Sequence, residues 1–136
     1  MNLASLRHSR QSRLDGIGEV GQRLIRDGEV EVLGDGAAAG IMARYVAGAG
    51  VGAVVVASDE IADAARSIDG AVSIKIDARL RDLEPLESAP YLFYSASAKA
   101  VGDGAYRALR AVLRLASPSD ALTVERSEEA PCMSNR

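Results

Sequence analysis

The chain has 136 residues, 48% of them hydrophobic, and a formal charge of −3, which suits one domain with one core and argues against a general nucleic-acid binder, whose contact face is basic. Its single cysteine, Cys132, excludes an internal disulfide, and one Cys with one His cannot build a zinc site without carboxylates or a second chain, so no zinc is expected. The opening MNLASLRHSRQSR is too polar for a secretory signal and no run of eighteen apolar residues occurs, so the expectation is a cytoplasmic protein with no membrane partner.

Residues 1–8 read as a loose arm. Residues 9–26 read as a helix bent near Gly16-Ile17-Gly18, with Leu14, Ile17, Val20, Leu24 and Ile25 as its apolar stripe. Asp27-Gly28 supplies the stop. Residues 30–33 are short, β-branched and closed by glycine, which predicts a buried strand. Residues 38–47 are a helix of small residues closed by Gly48 and Gly50, and 53–57 (AVVVA) are a second strand. An unbroken apolar run of this kind suits a parallel strand covered on both faces.

Residues 59–68 form a helix with Asp59 and Glu60 in its first turn, where the macrodipole favours carboxylates. Asp69-Gly70 is a turn, and 71–76 alternate as a third strand. Residues 78–87 are a charged connector or short helix, and 91–94 (YLFY) a fourth strand. Residues 103–115 form an amphipathic helix with Tyr106, Leu109, Val112 and Leu113 on one side. A turn at 117–120 leads to a last strand at 121–124, and 125–136 are polar and frayed. Strands alternating with helices predict one domain over residues 1–136: a Rossmann-like, three-layer α/β/α fold with a mainly parallel sheet and the N-terminal helix packed across one end.

Between the first strand and its helix, Gly34-Asp35-Gly36-Ala37-Ala38-Ala39-Gly40 fits G-x-G-x-x-A with a further glycine beyond. In such a turn the first glycine permits the reversal, the second lets the backbone approach a phosphate, and the small third residue lets helix and strand pack closely. The helix N-terminus then offers free N–H groups to an anion. Gly34, Gly36, Ala39 and Gly40 are therefore candidate cofactor-binding residues, with a nucleotide as the ligand. Ser58, at the end of the second strand, and Asp59, one position later, are the candidates for a ribose hydroxyl. Asp35 would repel a phosphate unless its side chain turns away. The alternative is that these glycines serve helix–strand packing alone.

The chain resembles the ubiquitin-activating-enzyme-like adenylyltransferases, the ThiF/MoeB/HesA group. Arg7-His8-Ser9-Arg10-Gln11, followed by Gly16 and Gly21-Gln22, is similar to the family's opening R-Y-S-R-Q…G…G-Q. Residues 30–52 resemble its glycine loop, Ala-rich helix and A-G-V-G turn. Arg66-Ser67-Ile68-Asp69-Gly70 resembles its R-I-N-P turn, and Leu122-Thr123-Val124 with Pro131-Cys132 resembles the T-V-F…P-C-x-x-C segment of its zinc site. The resemblance implies a homodimer that binds ATP and magnesium and adenylates the C-terminus of a ubiquitin-like carrier protein. It also implies that Arg10 reaches into a neighbouring subunit's nucleotide site.

The departures fall where that chemistry needs cations and a magnesium-holding carboxylate. Ser58 stands at the family's ribose-binding Asp, and the stretch bearing its Asn, Arg-Gln and Lys has no counterpart. Ser97 stands at the magnesium Asp, and Asn135 at the second zinc Cys. The later cysteine pair and crossover loop have no counterpart. No residue is assigned a catalytic role and none a metal.

Among other candidates, His8 reads as a surface residue before the first helix and not as a general base, and Cys132 has no nearby His to activate its thiol. Ser95, Ser97 and Lys99 form a polar cluster after the fourth strand, where a Ser-Lys pair is conceivable but a simple polar loop is the plainer reading. Asp77, Arg79, Arg81, Asp82 and Glu84 read as a solvated face. The expectation is a degenerate, shortened member of the group without adenylation activity, acting as a nucleotide-fold scaffold or partner-binding protein, as a homodimer or beside a related protein. The alternatives are an active adenylyltransferase acting on a ubiquitin-like carrier, and a domain binding a small ligand such as NAD or S-adenosylmethionine.

Overall fold

The structure, a computed structural model, describes residues 18–117. Helix α1 (Gly18–Asp27) ends at the turn before β1 (Glu29–Glu31). Helix α2 (Ala37–Gly48) leads to β2 (Ala53–Val56), and α3 (Asp59–Arg66) to β3 (Ser73–Ile76). A short 3-10 helix (Ala78–Asp82) follows, and an irregular segment then reaches α4 (Ala96–Ala116). The predicted strand at 121–124 and tail at 125–136 lie outside the described residues.

The three strands form a parallel sheet in the order β1-β2-β3. Val30 pairs with Val54 and Val54 with Ile74, so these side chains line one face, as the two-residue period of a strand requires. Val32 extends the line, donating its N–H to the Val55 carbonyl at 2.9 Å. All four helices share the core on this face, through Ile25, Ala43, Val46, Ala62 and Ala108 among others. Valines such as Val54 and Val56 are fully buried, each contributing about 1.5–3 kcal/mol of transfer free energy.

The opposite face is polar over most of its length. Glu29, Glu31, Ser73 and Lys75 are exposed there, and Lys75 Nζ reaches across β2 to Glu29 Oε1 at 3.1 Å. Only at the carboxyl ends do Leu33, Val55 and Ala57 gain cover, from Leu80 of the 3-10 helix. The result is an α/β fold with a parallel sheet, consistent with a Rossmann-like unit. Cover on both faces, predicted from the AVVVA run, holds only at the carboxyl end of β2.

Three elements differ from their sequence reading. Residues 91–94 are not a strand: Tyr91, Leu92 and Tyr94 are exposed, and the Phe93 ring lies on Gly102 of α4. The Ser95 hydroxyl accepts the Ala98 N–H at 3.1 Å and caps α4, which starts at Ala96, seven residues before the predicted helix. Such a cap satisfies one of the orphan donors of the first turn.

The buried line of α4 is also rotated from the predicted one. Gly104, Ala108, Val112 and Ala116 are buried, whereas Leu109 and Leu113 are 55% and 41% exposed. A Cβ on Gly104 would stand 2.7 Å from both the Ala38 carbonyl oxygen and Ile41 Cβ. Helices that approach so closely need their smallest residues at the seam, so the leucines are turned outward. The same holds in α1, where Gly21, Gln22 and Ile25 face inward and Val20 is exposed. Leu24 is half-buried, and Leu14 and Ile17 lie outside the described residues. The Gly52 N–H bonds to the Ile25 carbonyl at 3.4 Å, which sets the end of α1 at the amino ends of β1 and β2.

Candidate functional site

The candidate site lies at the carboxyl ends of β1 and β2, where ligands bind in open α/β sheets. The reversal after β1 turns on Gly34, whose φ of +87° is open to glycine and strained for other residues. Its N–H bonds to the Leu80 carbonyl at 2.8 Å, tying the turn to the 3-10 helix. Gly36 is the N-cap of α2 in an extended conformation, with no side-chain cap. A Cβ built there would have no atom within 4 Å. Ala39 is buried beneath the turn. A Cβ on Gly40 would make ordinary contact with Ile61 Cδ1 at 3.9 Å.

The four turn candidates thus separate by role. Gly34 makes the bend and Ala39 packs helix on sheet. Gly40 is not needed for packing. Gly36 leaves open space at the positive end of α2, where first-turn N–H groups lack a side-chain partner.

Asp35 resolves the conflict anticipated for it by turning to other protein groups. Its Oδ1 accepts the Ser58 hydroxyl at 2.6 Å, and its Oδ2 pairs with Arg81 Nε at 3.1 Å. Ser58 also caps α3, accepting the Ile61 N–H at 3.4 Å. Asp59 is exposed in the first turn of α3. Gly34, Gly36 and Ser58 are therefore gathered around one half-buried carboxylate and its guanidinium partner. Arg10 lies outside the described residues.

Arg81 belongs to this cluster and was read from the sequence as part of a solvated face. No local pattern marks it, because its partner lies 46 positions earlier in the chain. The other charged residues near it do fit that reading. Asp77 caps the 3-10 helix and holds Arg79 at 3.0 and 2.8 Å, and the Arg79 hydrogen bonds keep its carboxyl below the usual carboxylate range.

The polar cluster after residue 94 resolves into structural roles. Ser95 is a helix cap, Ser97 is exposed, and Lys99 Nζ is bonded to Asp103 Oδ2 at 2.7 Å. Among the described residues no three His, Cys, Asp or Glu side chains converge to hold a metal ion, and no helix is long and apolar enough to cross a membrane.

No protein-family model matches the chain, and no curated protein matches it.

Proposed function

We propose that this protein is a degenerate relative of the ThiF/MoeB/HesA adenylyltransferases that retains the nucleotide-binding fold, lacks adenylation activity and serves as a cytoplasmic scaffold or partner-binding protein. One observation carries the reading: the Ser58–Asp35–Arg81 chain at the mouth of the glycine turn. In a working nucleotide site the carboxylate after the second strand binds ribose, and free cations meet the phosphates. Here a serine replaces that carboxylate and donates to the turn's own Asp35. The nearby guanidinium is already neutralised by the same aspartate. The polar groups of the site satisfy one another instead of facing a substrate. On this reading the protein works as a homodimer or beside a related protein, with a ubiquitin-like carrier among its candidate partners.

The reading is tested by ATP–pyrophosphate exchange on the full chain with ubiquitin-like carrier proteins. No exchange above background is expected; sustained exchange that depends on the carrier would defeat it.

The open space at Gly36 favours a second reading, in which ATP or another adenine nucleotide still binds and no acyl-adenylate forms. Titration calorimetry separates the two. Micromolar binding of ATP or AMP that a Gly36→Val substitution abolishes would support retained binding, and no heat with either would leave the scaffold reading alone.

A further inference from the structure

Residues 83–95 leave the 3-10 helix, pass beside β1 and enter α4. Among the described residues β1 pairs with β2 alone. The Val32 N–H and the Gly28 carbonyl both bond toward β2. Alternate residues of a strand direct their peptide groups to opposite sides, so the backbone groups of Glu29 and Glu31 face the open edge. Pro85, Leu86 and Glu87 stand across from that edge, over a cavity of about 390 Å³ whose apolar walls include Leu33, Met42, Ala111 and Leu115.

Residues 85–90 of this segment are not held there by apolar burial. Leu86 is fully exposed instead of filling the cavity beneath it. What holds them is a set of polar bonds to α4. The Glu87 carboxylate sits between Arg110 Nε at 3.0 Å and Arg114 at 2.8 Å, and its carbonyl accepts from Arg107 Nε. The Ala89 N–H donates to the buried Asp103 carboxylate at 2.8 Å, and Lys99 holds the second oxygen of that group.

We propose that residues 85–90 form a charge-latched strap that screens the edge of β1 and lifts from it as a unit. Open strand edges are templates for unwanted pairing, and folded chains cover them. This cover rests on a cavity, so lifting it exposes little packed apolar surface. Its hold lies in Asp103, Arg107, Arg110 and Arg114. Two of these four, Arg110 and Arg114, are about half exposed, where salt screens their attraction to Glu87.

The test is residue-resolved amide hydrogen exchange on the full chain. Asp103→Asn removes the charge that Lys99 and Ala89 share. It should raise exchange at Ala89, Glu29 and Glu31 together, by about ten- to a hundredfold, and leave β2 and α2 unchanged. The double variant Arg110→Gln/Arg114→Gln should raise the same set by a smaller factor, as should about 1 M salt, where the screening length falls to about 3 Å. Faster exchange at Ala89 with Glu29 and Glu31 unmoved would show that the segment screens nothing. A uniform rise through β2 and α2 in both variants would make these contacts ordinary anchors of the fold. Either result overturns the proposal.

Discussion

Ser58 and Asp35 share a 2.6 Å hydrogen bond across 23 positions of sequence, and the same hydroxyl caps α3. One side chain thereby joins the glycine turn to the next helix. Ser58→Ala removes both bonds and should cost about 1–2 kcal/mol, in the range of a lost N-cap with a hydrogen bond to a charged group added. Urea unfolding of Ser58→Ala, Asp35→Asn and the double variant checks the coupling. The two single losses should sum to more than the double loss, because they break the same bond. Additive losses would mean that the hydroxyl and the carboxylate act independently.

The two glycines of the turn should respond in opposite ways. Gly34 has positive φ, so Gly34→Ala forces a side chain into a region that costs about 1–2 kcal/mol. Gly36 is extended and nothing surrounds its missing Cβ, so Gly36→Ser should be neutral or stabilising by a few tenths of a kcal/mol through a new cap (about 0.3 kcal/mol). Thermal unfolding of both variants decides it. A large loss at Gly36 would reveal a packing role that the geometry does not show.

What the sequence revealed of this fold follows from the range of the physics involved. The β-branched runs at 53–57 and 71–76, the small-residue helix at 38–47 and the acidic start at Asp59 are local signals, and each became the expected element within a residue or two. The YLFY segment misled because aromatic β-propensity describes a half-buried pleated surface, and these residues lie on no sheet. The rotated face of α4 depends on the contact of Gly104 with Ala38 and Ile41, which no periodicity of α4 alone can disclose. In the candidate site, Gly34 was legible as a turn residue. The partnership of Arg81 with Asp35 was not, because it exists only once the 3-10 helix has folded back over β2.

Acid should loosen the segment before α4. The Lys99 hydrogen bond holds the Asp103 carboxyl below the usual carboxylate range; burial opposes this, while the Ala89 N–H and the Arg107 charge add to it. A carboxyl with a depressed folded-state value contributes its full stabilisation above the unfolded value of about 3.9. That contribution is lost as the pH falls through the folded value. Stability measured by urea unfolding should therefore fall more steeply below about pH 4 in the native chain than in Asp103→Asn, whose neutral amide has no proton to take up. Parallel curves for the two proteins would show that Asp103 does not set the acid limb.

The orientation of α4 yields the sharpest contrast between the two readings of its sequence. If Leu109 and Leu113 formed the buried stripe, replacing either with a polar residue would destabilise the fold by several kcal/mol, about 2–5 on the scale of core truncations, and a change at Gly104 would be nearly silent. The packing predicts the reverse. A Cβ at Gly104 would lie 2.7 Å from backbone oxygen as well as from Ile41, and the carbonyl of Ala38 cannot turn aside without breaking α2. Gly104→Val must push the two helices apart and should cost about 1–3 kcal/mol or more. Leu109→Gln, at a position more than half exposed, should stay within about 0.5 kcal/mol of the native protein. Equilibrium unfolding of these two variants side by side reads out which face of α4 is packed, because each arrangement forbids the result that the other requires.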